Sequence, residues 1–153
     1  MFIGSFYHKL EAKGRLSLPK PFRAVSAQWV ITAGLDGSLF LFPQAIFTEQ
    51  MERLKLLSFN KQAHRDYSRL LSNQASVVVP DQLGRILIPD FLVQRANLTR
   101  DVVIVGSSDR LEIFDQATYN ALLDRLNQDA ASIAENIDLG IAVSSSPEKH
   151  PLI

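Results

Sequence analysis

The sequence predicts an α+β fold in which two tandem copies of one small β-hairpin module, each with short helices, pack as a single pseudo-symmetric unit. The first observation behind this is a self-match. Lys13-Gly14-Arg15-Leu16-Ser17-Leu18-Pro19 recurs seventy positions later as Leu83-Gly84-Arg85-Ile86-Leu87-Ile88-Pro89, and an acid stands two residues before each stretch, Glu11 and Asp81. The second is that the match continues after a two-residue insertion, setting Gly34 against Gly106, Leu39-Phe40-Leu41-Phe42 against Leu111-Glu112-Ile113-Phe114, and Leu54 against Leu126. The third is size: a module of roughly 70 residues buries little surface alone, so each copy needs the other to complete a core.

The pattern divides the chain into a first module over residues 1–57, a polar helical connector over 58–74, a second module over 75–126, and a weakly helical to disordered tail over 127–153. Each module reads as strand, tight turn, strand, short helix, hairpin, helix. Phe6-Tyr7-His8-Lys9-Leu10 and Ser76-Val77-Val78-Val79 are strand-like. Gly14 and Gly84 supply the positive φ that a tight turn calls for. Leu16-Ser17-Leu18 alternates like a half-buried strand, whereas Ile86-Leu87-Ile88 is apolar throughout and is expected to be buried on both faces. Pro19 and Pro89 end these strands and suit a helix start. Trp29-Val30-Ile31 and Val102-Val103-Ile104-Val105 each feed a turn, Gly34-Leu35-Asp36-Gly37 or Gly106-Ser107-Ser108-Asp109, and a returning strand. Asp115 reads as an N-cap, with Tyr119, Leu122, Leu123 and Leu126 on one face of the helix it opens. Ile46, Phe47, Met51 and Leu54 form the matching stripe in the first module, and both stripes read as core or subunit contact. Ser144 to Pro151 is a loose tail.

Composition is ordinary for a globular protein, 46% hydrophobic and 21% charged, with no cysteine for disulfide or thiolate chemistry. No apolar run approaches the ~20 residues that span a bilayer. The N-terminus lacks the basic stretch and apolar core of a secretion signal, so a cytoplasmic location is expected. Net charge is zero, but it is unevenly placed. Residues 1–23 carry Lys9, Lys13, Arg15, Lys20 and Arg23 against Glu11 alone, and the remaining 130 residues hold eleven bases and fifteen acids. A cationic end on a mildly acidic body suits a polyanion, because the local field rather than total charge attracts it.

The two turn motifs and their surroundings resemble the MraZ family of bacterial transcriptional regulators. Met1-Phe2-x-Gly4 followed by Glu11-Ala12-Lys13-Gly14-Arg15-Leu16-Ser17-Leu18-Pro19 is similar to that family's N-terminal signature, and Asp81 through Pro89 to its second copy. Val103-Ile104-Val105-Gly106 and Leu111-Glu112-Ile113-Phe114-Asp115 match the family's pattern beyond that second copy, so the resemblance spans roughly residues 1–126. It implies two AbrB-like swapped-hairpin domains per chain, a ring-like homo-oligomer, association with the nucleoid, and binding to repeats upstream of the division and cell-wall gene cluster, typically as a repressor. It also implies an Asp-x-x-x-Arg motif in each domain. Here Glu11 replaces the first aspartate, and its extra methylene is expected to lose or lengthen a turn-capping hydrogen bond.

Arg15 is the expected DNA contact, because a guanidinium grips guanine O6/N7 or a phosphate with two parallel bonds, and a two-stranded ribbon fits the major groove. Lys9, Lys13, Lys20 and Arg23 are the expected phosphate contacts, which position without specifying. Arg85 occupies the equivalent DNA-facing position, but the neutral surroundings of Asp81, Asp90 and Arg95 favour its pairing with Asp81. Glu11, Gly14, Asp81 and Gly84 shape the turns, Glu11 being placed to orient Arg15. A head-to-tail ring presents every subunit in the same sense and so reads direct repeats in double-stranded DNA, spaced near one helical turn of ~10 base pairs.

Two rival classes fare worse. His64, Asp66 and Ser68 do not share a helix face, His8, His64 and His150 are scattered, and Gly34-Leu35-Asp36-Gly37 lacks the pattern of a phosphate loop. No enzyme, metal site, cofactor or small-molecule substrate is expected. The alternative is an oligomeric AbrB-like protein-binding module, antitoxin-like or a scaffold, without an operator of its own.

Overall fold

Every strand of the first module pairs with a strand of the second, and two of them, Trp29–Ala33 and Leu39–Pro43, pair with each other as well. The computed structural model describes residues 1–137. In chain order it contains β1 (Ser5–Lys9), a 3-10 turn (Ala12–Gly14), β2 (Arg15–Ser17), a second 3-10 turn (Lys20–Phe22), β3 (Trp29–Ala33), β4 (Leu39–Pro43) and α1 (Gln44–Lys55). After α2 (Gln62–Asn73) come β5 (Ser76–Val78), β6 (Arg85–Leu87), α3 (Asp90–Arg95), β7 (Asp101–Ser107), β8 (Arg110–Asp115) and α4 (Gln116–Glu135).

Six strands form one antiparallel sheet in the order β1-β7-β8-β4-β3-β5, and β2 pairs with β6 in a separate two-stranded ribbon. The opening strand of each module is therefore exchanged: β1 lies on β7, and its counterpart β5 lies on β3. The registers define a pseudo-two-fold relation between the modules. In the ribbon Arg15 faces Leu87 and Ser17 faces Arg85, so the two copies interchange about the Leu16–Ile86 pair. In the sheet Leu39 faces Ile113 and Leu41 faces Leu111, so they interchange about Phe40–Glu112. The ribbon is closed at both ends by matched backbone bonds, Ile88 N–H donating to the Gly14 carbonyl (2.8 Å) and Leu18 N–H to that of Gly84 (2.9 Å).

The main core lies between the sheet and the ribbon. Trp29, Ile31, Leu39, Leu41, Val102, Ile104, Leu111 and Ile113 meet Leu16, Leu18, Ile86 and Ile88, with Phe2, Phe22 and Leu92 filling the sides. Burial of each large side chain contributes roughly 1.5–3 kcal/mol. On the other face of the first module's half, Phe40, Phe42 and Leu71 pack with Ile46, Phe47, Met51 and Leu54, so the α1 stripe is core. The Leu71 carbonyl also accepts the buried Thr32 hydroxyl at 2.6 Å. Asp115 caps α4 through Ala117 N–H (3.3 Å) and ties down Thr99 through its hydroxyl and N–H (2.7 and 2.9 Å).

The structure corrects two expectations. Leu87 is 54% exposed, so Ile86-Leu87-Ile88 is not buried on both faces. A ribbon of two strands has only one side against the core, and apolar content alone does not add a second layer. The repeat alignment also shifts at the hairpins: Ala33 pairs with Leu39 and Gly106 with Leu111, which sets Gly106 opposite Ala33 rather than Gly34. The first hairpin holds one more residue at its tip than the second, and three residues are added before β7. The stretch after Asn127, expected to be weakly helical, is helix as far as Glu135. The expected loose tail at 144–151 lies outside the described residues.

Two compact units result, Met1–Tyr119 and the chain from Asn120 onward. In the second, α4 is exposed from Asp124 to its end.

Candidate nucleic-acid interface

Strand alternation decides what the ribbon shows to solvent. Leu16 and Ile86 point into the core, so Arg15, Ser17, Arg85 and Leu87 share the outward face, with Arg15 and Arg85 on the diagonal. The two arginines sit in unlike surroundings. Arg85 Nε donates to Asp81 Oδ2 at 2.9 Å, and one terminal nitrogen reaches Glu11 Oε2 at 3.3 Å. Arg15 is exposed and has no side-chain partner among the described residues.

The turns explain the difference. Asp81 Oδ1 accepts both the Leu83 and the Arg85 N–H at 2.9 Å, which fixes its carboxylate beside the strand that carries Arg85. The Arg85 N–H is the main reason this carboxyl is held below the usual aspartate range; partial desolvation opposes it, and the guanidinium adds to it. The same pairing, with Glu11 assisting, raises Arg85 above its ordinary value. Glu11 makes no such cap on its own turn. Without that cap the first turn takes a different path, with left-handed φ at both Lys13 (65°) and Gly14 (80°), whereas in the second only Gly84 (77°) is left-handed. The longer carboxylate swings across the pseudo-dyad to Arg85 instead of orienting Arg15.

The other cations divide. Lys13 at the first turn and Lys20 after the ribbon are exposed. Lys9 is paired with Asp101, its register partner on β7. Arg23 is half-buried: its Nε donates to the Leu18 carbonyl at 2.8 Å, and its stem packs on Gly84 so closely that a Cβ there would come within 2.5 Å. It also faces His8, whose pKa is lowered by burial first and by this guanidinium second.

Arg100 is a cation that sequence reasoning missed. With Thr99 it lines a recess of about 580 Å³ against Lys9, Leu10, Glu11 and Ala12, and its carbonyl accepts the Leu10 N–H at 2.7 Å. Only the exchange of β1 onto β7 brings it beside the first turn, and no local pattern announces that.

His64, Asp66 and Ser68 are not brought together. His64 Nδ1 lies 2.9 Å from the Ser58 carbonyl, and Asp66 pairs with Arg69. Among the described residues there is no cluster of three metal-ligating side chains, and no helix is long and apolar enough to cross a membrane.

A family model described as "MraZ protein, putative antitoxin-like" matches the chain twice, over residues 1–70 and 71–139. A protein of Frankia casuarinae named "Transcriptional regulator MraZ" is 39% identical over 142 residues, covering 92% of this chain and 99% of its own. One of the same name from Pediococcus pentosaceus is 38% identical, covering 92% of this chain and all of its own. Two matched repeats, an exchanged pair of hairpin modules and full-length relatives together place this chain in the MraZ family.

Proposed function

We propose that the chain is a sequence-specific DNA-binding transcription regulator whose reading head is the outward face of the β2–β6 ribbon. The observation that carries this is the unpaired, exposed Arg15 on a ribbon that fits a major groove, beside Lys13. Relatives spanning nearly the whole chain are named transcriptional regulators, which supports the same reading. Arg15 reads a base edge or grips a phosphate; Lys13, Lys20 and Arg100 supply positioning contacts. Arg85, Lys9 and Arg23 hold the scaffold through Asp81, Asp101 and the Leu18 carbonyl.

Under this reading the protein acts as a ring-like homo-oligomer in the cytoplasm, associated with the nucleoid, and represses the division and cell-wall gene cluster by binding direct repeats upstream of it. One ribbon holds weakly, and several tethered in one assembly gain through effective concentration. The test is a binding titration on the DNA upstream of the protein's own gene, against scrambled DNA of equal composition, over a salt series. Tight binding to the native sequence that fades steeply with salt is expected. Equal affinity for both DNAs, or none at low salt, rejects it in favour of a protein-binding role.

A further inference from the structure

Of the four side chains on the outward face of the ribbon, two are already engaged. Arg85 is held by Asp81 and Glu11, and Ser17 is half-buried. The other two, Arg15 and Leu87, are exposed and lie directly opposite each other. Ile88 N–H bonds the Gly14 carbonyl and Leu18 N–H that of Gly84, so the Leu16–Ile86 pair midway between them is of the hydrogen-bonded kind. Arg15–Leu87 is therefore a non-hydrogen-bonded pair, the kind whose Cα atoms stand roughly 4.5 Å apart with the side chains closest together. That spacing is comparable to the ~3.4 Å between successive nucleotides of one strand, so the two side chains address the same or adjacent base pairs. Leu87 supports no core and stands where the first copy has Ser17, among the exposed cations Lys13, Arg15 and Lys20. A leucine gains nothing from a phosphate. The apolar group by which a major groove tells one base pair from another is the thymine C5-methyl.

We propose that Leu87 packs on a thymine methyl beside the point where Arg15 holds the DNA. The cross-strand pair is then a two-part reader, with the charge supplied by the first module and the apolar contact by the second. The inference rests on the DNA reading proposed above and adds to it a base type that is recognised and the residue that recognises it.

The test compares the full chain on the native upstream duplex, on scrambled DNA, and on the native duplex with every thymine replaced by uracil, which removes the C5-methyls alone. Binding is read by fluorescence anisotropy at low salt for the wild type, Leu87→Ser and Leu87→Met, with circular dichroism as the check on folding. The position is exposed, so neither substitution opens a cavity. The wild type is expected to bind the thymine duplex about fourfold more tightly per site than the uracil duplex, the worth of burying one methyl group. Leu87→Ser, which installs the residue of the first copy, loses that difference. Leu87→Met keeps an apolar side chain and retains most of it. Because all three proteins meet the same two duplexes, any effect of uracil on DNA shape cancels between them. A wild type that prefers native over scrambled DNA but not thymine over uracil overturns the inference and leaves the DNA reading standing, as does a Leu87→Ser variant that keeps the thymine preference. A wild type indifferent to native and scrambled DNA overturns both.

Discussion

Glu11 of the first module bonds Arg85 of the second at 3.3 Å, across the pseudo-dyad that relates their turns. Two modules with matching motifs thereby become chemically unlike. One arginine is held between two carboxylates, and the other has none. Glu11→Gln removes one charge from the rim of the ribbon and leaves Arg85 on Asp81. Both carboxylates are substantially exposed, so the gain is small: DNA binding should tighten by no more than about fivefold at low salt, measured by fluorescence anisotropy. Weaker binding would show that Glu11 supports the reading head rather than screening it.

Arg15→Ala should weaken binding to the upstream DNA by about five- to a hundredfold per site, the worth of one bidentate contact. If Arg15 reads a base, the variant loses preference for the native over the scrambled sequence. If it grips a phosphate, affinity for both falls together and the salt slope drops by about one. Undiminished specific binding removes Arg15 from the interface.

Gly14→Ala should destabilise more than Gly84→Ala. Both positions have positive φ, which costs a side-chain-bearing residue about 1–2 kcal/mol. At Gly14 the new Cβ also falls 2.6 Å from the Ile88 carbonyl oxygen, in a backbone that closes the ribbon. At Gly84 it meets the Arg23 side chain, which can move aside at the cost of its bond to the Leu18 carbonyl, whereas the backbone at Gly14 has no such freedom. Urea denaturation of the two variants ranks them, and the reverse order would contradict the geometry.

Ile86→Ala and Leu87→Ala differ only by which side of one strand they touch. Ile86 is 1% exposed on the dyad, so truncation should cost about 2–5 kcal/mol. Leu87 faces outward, and its truncation should stay within about 0.5 kcal/mol. Comparable losses at both sites would mean a second layer covers the ribbon.

His8 gives a pH signature. Burial and Arg23 lower its pKa, so on acidification the unfolded chain takes up the proton first, near the ordinary value of about 6.5. The native state keeps its full stability above that value and loses the His8 share as pH falls from there through the lowered folded value. His8→Val, the residue at the equivalent position of β5, should flatten the thermal midpoint between pH 7 and 5. An unchanged profile would assign the loss to other groups.

The turn–strand–proline motif, repeated after seventy residues, determined by itself that there are two like modules and that Gly14 and Gly84 sit in tight turns. The apolar stripe that follows Asp115 determined that a helix begins there. These are local matters, set by backbone sterics and by bonds a few residues long. The four-residue spacing of Asp81 and Arg85 belongs with them, because a tight turn folds such a pair together. What only the tertiary structure decided was which strand each module lends the other. That exchange pairs Lys9 with Asp101, sets Arg100 beside the first turn and carries Glu11 to Arg85, all contacts across more than seventy residues. It also decided that Leu87 lies in solvent, since the burial of a strand depends on how many layers cover it and not on its own hydrophobicity. The chemistry of each residue sets what its side chain can bond to, but long-range pairing decides which partner lies within reach.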